Sequence, residues 1–288
     1  MKHQSIIEPA EAARQLGDPD WLFIDCRSTL GQAGLGRISY LKEHIPDSVY
    51  ADLEKNLSGQ VEPGKTGRHP LPEKTKFVEF ISGLGITADT QVIAYDDMSG
   101  AMAAARLWWL LKWAGHEYVA VLNGGLSAWK KAGLPTDDRP PPPRHETHFK
   151  ARFRDDIVVD AAEVARITHK HTLVDSRTND RYRGENETID PIAGHIPGAC
   201  SLPYTGNLAD DGSFRSAEQL RERFGRLRRG SDTEVIFYCG SGVTAAHSLL
   251  AFTVAFSEMP KLYAGSWSEW ITDPTRGVAS SDEGSCTE

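Results

Sequence analysis

The stretch that decides the fold is Glu234 to Ala245, EVIFYCGSGVTA, and the residue to explain within it is Cys239. Val235, Ile236, Phe237 and Tyr238 form a short apolar, β-branched and aromatic run, which reads as a buried parallel strand ending at the cysteine. Gly240, Ser241, Gly242 and Thr244 let the backbone curl tightly, and such a curl turns successive N–H groups inward to make an anion-binding nest. From Ala245 to Phe256 the chain is apolar enough for a helix, whose positive end would point back at the sulfur. A lone cysteine at a strand end is more often a core residue. The two glycines, Ser241 and Thr244 directly downstream turn the reading toward a nucleophile, or a sulfur that carries a second sulfur as a persulfide.

Working outward, the chain of 288 residues is long enough for two domains. A net charge of −8 argues against a nucleic-acid partner, so the positive charge for any anionic substrate must be supplied locally. No apolar stretch reaches the length of a membrane span, and the opening MKHQSIIEPAEAARQLG has no continuous apolar core, so the expected address is cytoplasmic, without a membrane partner. Cys26, Cys200, Cys239 and Cys286 form no CxxC pair, which spells out neither a zinc site nor a dithiol. They are expected to be free thiols in a reducing compartment, Cys26 and Cys200 buried at strand ends and Cys286 exposed in a polar tail.

The halves repeat. Asp25-Cys26-Arg27 returns as Asp175-Ser176-Arg177, and His44-Ile45-Pro46 as His195-Ile196-Pro197, about 150 residues on. Val92 to Tyr95 returns as Val235 to Tyr238, and Gly125 to Trp129 as Gly265 to Trp270 with one residue added. A period of this length means two like domains, read as residues 1–135 and 155–288, joined by a proline-rich linker at 136–154. Apolar strands alternate with helical stretches in each half, the pattern of an α/β parallel sheet flanked by helices on both faces. Strands are expected at Trp21 to Asp25, Val49 to Ala51, Val92 to Tyr95 and Val119 to Leu122, and again at Thr172 to Asp175, Ser201 to Pro203, Val235 to Tyr238 and Lys261 to Tyr263. Helices are expected at Pro9 to Leu16, Glu73 to Leu84, Met102 to Ala114, Ala161 to His169, Ala217 to Leu227 and Ala245 to Phe256. The long turn-rich run Gly59 to Pro72 is read as a functional loop covering an interdomain cleft. Asp25, Arg27, Asp175 and Arg177 read as structural ion pairs, and Trp129 and Trp270 as core.

The paired DxR and HIP landmarks, the strand-cysteine-loop-helix and the closing GSWSEW together resemble the tandem-domain rhodaneses, which are sulfurtransferases, over essentially the whole chain. The run CGSGVTA looks like the active loop of the 3-mercaptopyruvate sulfurtransferases within that family. The resemblance implies a catalytic second domain and a first domain that has lost its cysteine; Asp96 stands at the position equivalent to Cys239. It also implies a two-step reaction: Cys239 takes the outer sulfur of a small anionic donor, mercaptopyruvate or thiosulfate, and passes it to cyanide, a small thiol or a protein thiol, with no metal or organic cofactor. Gly240, Ser241, Gly242, Val243 and Thr244 would stabilise the persulfide. Arg181 resembles the arginine that binds the donor carboxylate, with Arg183 a second candidate. The mercaptopyruvate enzymes usually place another arginine some nine residues further on, and Glu185 to Gly194 holds none. Ser241 with His69 and Glu54 resembles a proton relay of those enzymes, although the spacing from Glu54 to His69 is longer than usual.

Two other classes compete. A cysteine phosphatase closes its phosphate loop with an arginine six residues after the cysteine, and here that position is Ala245. A persulfide carrier or redox sensor would keep Cys239 without turning over a donor.

Overall fold

Each repeat builds a five-stranded parallel sheet whose central strands carry runs of consecutive apolar side chains, such as Leu22 to Ile24 and Val235 to Tyr238. The computed structural model describes residues 2–167, 171–228, 233–280 and Cys286. Chain contacts divide it into two units: Met1–Gly59 with Pro72–Arg154 and Asp210–Phe214, and Gln60–Leu71 with Asp155–Ala209 and Arg215–Glu288. In the first unit β1 (Ile6–Ile7), β2 (Trp21–Asp25), β3 (Val49–Tyr50), β4 (Gln91–Tyr95) and β5 (Val119–Leu122) lie in the order β1-β5-β4-β2-β3. In the second, β6 (Val158–Val159), β7 (His171–Asp175), β8 (Cys200–Ser201), β9 (Glu234–Tyr238) and β10 (Lys261–Tyr263) repeat it as β6-β10-β9-β7-β8, again with every pair parallel.

Burial on both faces explains the parallel arrangement. Phe23, Ile93, Tyr95, Ala120 and Leu122 pack in one cluster with Ile7, Leu126 and Trp129, while Leu22, Ile24, Val92 and Ala94, pointing the other way, are buried as well. The helix Ala104–Trp113, buried at every residue, covers the sheet of the first unit. In the second unit Leu173, Ile236, Tyr238 and Tyr263 meet Trp267 and Trp270 on one face. On the other, Phe237 meets Phe224 and Phe252 edge-on, each at a centroid distance of 6.0 Å.

All eight expected strands are present, with ends shifted by a residue or two. The edge strands β1 and β6 escape the pattern because two residues show no periodicity. The expected helix at Ala161 to His169 is observed as Ala161–Val164, and its far end lies outside the described residues. The short helices Leu35–Lys42, Gly125–Lys131, Asn179–Tyr182 and Ser266–Trp270 were not anticipated. Among the described residues no helix is long and apolar enough to cross a membrane.

The repeat landmarks do structural work. Asp25 and Asp175 each hold the arginine two residues on through Nε and Nη2, at 2.6 to 3.1 Å. His44 and His195 donate from Nδ1 to the carbonyls of Tyr40 and Tyr182. One landmark pairing is corrected: Gly124 to Trp129 matches Gly265 to Trp270 with no residue added. Gly125 (φ 60°) and Ser266 (φ 56°) share the left-handed conformation, and the next N–H bonds the carbonyl of Asp96 in one unit and of Cys239 in the other.

The proline-rich segment runs extended along the first unit, where Phe149 N–H bonds Ser82 and the backbones of Arg152 and Arg154 bond Ala114 and Trp113. The cysteine expectation is also corrected. Cys200 and Cys286 form a disulfide, and Cys286 is buried rather than exposed; Cys26 and Cys239 are the free thiols. The antiparallel bridge between His195 and Ala279 returns the C-terminal segment alongside the turn that leads into β8, a proximity that sequence separation does not reveal. The argument from four free thiols to a reducing compartment falls with it.

Candidate active site

Strand β9 delivers Cys239 to the carboxyl edge of the second sheet, where sites of open parallel sheets form. Its backbone is fixed from both sides: the N–H donates to Ser266 Oγ at 3.1 Å, and the carbonyl accepts from Trp267 N–H at 3.0 Å. Ser266 holds a positive φ of 56°, a conformation costing a non-glycine residue about 1 kcal/mol, and anchors it by donating to the Tyr263 carbonyl. The loop after Cys239 turns through Gly242 at φ 73°, and the helix Thr244–Phe256 begins immediately. Two other helices of this unit close their first turns with capping boxes, Asp160 with Glu163 and Ser216 with Gln219. The helix behind Cys239 has Val243 at its N-cap and no side-chain cap, so its positive end is left for another anion.

The first unit shows what that place can hold. Asp96, at the end of β4 where Cys239 stands after β9, accepts backbone N–H groups of Met98 and Gly100 on Oδ1 and of Met102, Ala103 and Ala104 on Oδ2. The carboxylate caps the helix Ala104–Trp113 and fills the nest of its own loop. Both units therefore carry a loop at this strand end, filled by Asp96 in one and following Cys239 in the other.

Around Cys239 the second unit gathers residues from three segments. His69, 7% exposed, lies with its Nδ1 2.8 Å from Ser241 Oγ. Arg181 is held by Glu187 through Nε and Nη2 at 2.9 to 3.0 Å and by Asp190 at 3.0 Å. Arg68, next to His69, pairs with Asp190. A side chain at position 240 would run into Arg68 Nη2, 2.7 Å from an ideal Cβ, and would touch Arg181 at 3.5 Å, so both guanidiniums flank the backbone beside Cys239. Burial pushes the Arg68 pKa down, a charge on Cys239 opposes the shift, and Arg181 adds to it.

Two further expected site residues are Arg183 and Glu54. Arg183 pairs at 2.8 Å with Glu185, itself exposed. Glu54 belongs to the first unit and is exposed, in a turn where Asp52 accepts its N–H. The sequence reading missed Arg68, Glu187, Asp190 and Ser266. Arg68 could have been found by its place beside His69; the two acids carry no local signal, because their role exists only once Arg68 and Arg181 meet.

The rhodanese-like domain family matches the chain twice, over residues 8–132 and 160–273. The chain is 45% identical over 286 residues to a probable 3-mercaptopyruvate sulfurtransferase of Pseudomonas aeruginosa, covering 98% of this chain and 100% of that one. It is 38% identical to a putative thiosulfate sulfurtransferase SseB of Mycobacterium tuberculosis, covering 96% of each. Among solved structures it is similar to 3-mercaptopyruvate sulfurtransferase from Leishmania major, with a TM-score of 0.82 and 34% identity over 93% of this chain and 74% of that one. With its paired parallel sheets, its repeated strand-end loops and these matches, the chain belongs to the rhodanese family, as two rhodanese-like domains in tandem.

Proposed function

We propose that the chain is a sulfurtransferase that takes sulfur from 3-mercaptopyruvate onto Cys239 and hands it to cyanide or a thiol. The observation that carries this reading is the 2.8 Å contact between His69 Nδ1 and Ser241 Oγ, two residues from Cys239. Attack of the Cys239 thiolate on the donor sulfur forms an S–S bond and breaks the C–S bond, whose electron pair leaves on carbon as the pyruvate enolate. That carbon must be protonated. In this reading Ser241 supplies the proton and draws another from His69, which takes up the hydrogen of the donor thiol, so that this hydrogen is balanced on the methyl group of pyruvate and Cys239 ends as a persulfide anion. The acceptor then takes the outer sulfur and restores the thiolate; with cyanide the product is thiocyanate. Thiosulfate would leave as sulfite, which needs no proton on carbon, and its two charges would meet a loop without lysine or arginine.

The relay assigned here has two members, His69 and Ser241. The loop amides of Gly240 to Thr244 hold the persulfide charge, as the equivalent loop holds Asp96, and Arg181 orients the donor carboxylate. A cytoplasmic setting is proposed from the thiol acceptor, which must stay reduced, although the Cys200–Cys286 disulfide is of a kind rare there.

Steady-state kinetics with both donors against cyanide, together with intact mass, test this. A mass increase of one sulfur, removed by cyanide and absent in Cys239→Ser, is expected. So is a higher kcat/KM for 3-mercaptopyruvate, lost in Ser241→Ala and His69→Ala while the weaker thiosulfate activity persists. A preference for thiosulfate would overturn the donor, and a persulfide that never turns over would make the protein a carrier.

A further inference from the structure

The two guanidiniums beside Cys239 come from different halves of the sequence, and their charges are arranged with a direction. Glu187 and Asp190, which hold them, are each 2% exposed, whereas Arg181 is 17% and Arg68 27% exposed. In each ion pair the acid is the more buried member and the cation the more exposed, and both guanidiniums lie within reach of a Cβ at Gly240. Arg68 is also under-used by the protein itself. Its Nε is buried and has no hydrogen-bond partner among the described residues, a state that folded proteins rarely tolerate without a functional reason.

The backbone is built to keep Arg68 there. Its N–H donates to Ser268 Oγ at 3.0 Å, which ties the loop to the short helix that also fixes Cys239. Gly67 makes that approach feasible: a Cβ there would lie 2.6 Å from both the Gly265 carbonyl and Ser268 Oγ, against a van der Waals distance of about 3.4 Å. Asp190 bonds Arg68 and Arg181 together, fixing the spacing between the two forks.

We infer that Arg68 is a donor-binding residue, the second guanidinium of a two-pronged clamp with Arg181 for the anionic group of the sulfur donor. Asp190 is the positioning residue that sets the clamp. Because both arginines are already balanced by buried acids, the clamp suits a single carboxylate better than a dianion, since its attraction is that of oriented ion pairs rather than of surplus charge. The inference rests on the sulfurtransferase reading above.

The experiment separates the two half-reactions in Arg68→Lys, Arg68→Gln and Asp190→Asn, each checked for native near-ultraviolet circular dichroism. The rate of persulfide formation is followed against 3-mercaptopyruvate concentration, and preloaded persulfide is then discharged with 2-mercaptoethanol, which has no carboxylate. Arg68→Gln should raise the donor concentration for half-maximal loading by about 30-fold, the order expected for one charge-assisted contact, with Arg68→Lys and Asp190→Asn in between. Discharge should stay within about twofold of the parent rate. Where a variant does not fold, phenylglyoxal labelling of the parent protein decides: Arg68 should react, and pyruvate should protect it. Unchanged loading in Arg68→Gln, equal loss in both half-reactions, or labelling indifferent to pyruvate would overturn the assignment. A parent protein that loads no sulfur at all would instead overturn the proposed function.

Discussion

Replacing Asp96 by asparagine tests the division of labour between the repeats. Oδ1 accepts from Met98 at 2.9 Å and Gly100 at 2.7 Å, and Oδ2 from Met102, Ala103 and Ala104 at 3.2 Å each. An amide has one acceptor oxygen. Turned toward the three-donor side, it leaves its NH2 facing the N–H groups of Met98 and Gly100, so a part-buried and a buried donor lose their partner at about 1–3 kcal/mol each. The other three keep a bond to a neutral oxygen in place of a charged one. The expected destabilisation is about 4 kcal/mol, against a typical total of about 5–15 kcal/mol, and urea unfolding followed by tryptophan fluorescence should detect it. Persulfide yield per folded molecule, measured by intact mass well below the unfolding midpoint, should be unchanged, because the sulfur sits on Cys239 in the other unit. A destabilisation under about 0.5 kcal/mol would refute the view that the carboxylate organises this loop. Native stability with the persulfide lost would refute the idea that the first repeat does no sulfur chemistry.

Further outcomes follow from the same geometry. A fragment beginning at Asp155 lacks residues 60–71, and with them Arg68 and His69; its turnover of 3-mercaptopyruvate should fall at least about 100-fold, and full activity would remove both from the site. Burial pushes the pKa of His116 from 6.5 down to about 4, so its contribution is complete above pH 6.5 and is lost as pH falls toward 4. That amounts to about 3 kcal/mol, and His116→Gln should flatten the acid limb of the stability profile; an unaltered limb would count against it. Denatured protein should titrate only Cys26 and Cys239 before reduction and all four cysteines after it. Opening the Cys200–Cys286 bridge, which closes a sequence separation of 86 residues, should cost about 4.6 kcal/mol on the chain-entropy scale. Four free thiols without reductant would show that the bridge is not formed.

Much of this protein is legible from the chain alone. Runs such as Val235 to Tyr238, apolar on both faces, demand a sheet covered on both sides, and the repeated DxR and HIP landmarks show that the architecture occurs twice. The small residues after Cys239 announce the loop because a tight turn asks locally for glycine, and Gly242 takes a positive φ just before the helix starts. What the tertiary structure alone decided are pairings across long separations. Arg68 meets Arg181 through Asp190, which stands at the position where the sequence reading seeks a second arginine. Cys200 finds Cys286 only because the C-terminal segment returns beside His195. Such contacts are set by how strands and loops stack in space, where energy depends on distance and orientation, and residue spacing along the chain carries no measure of either.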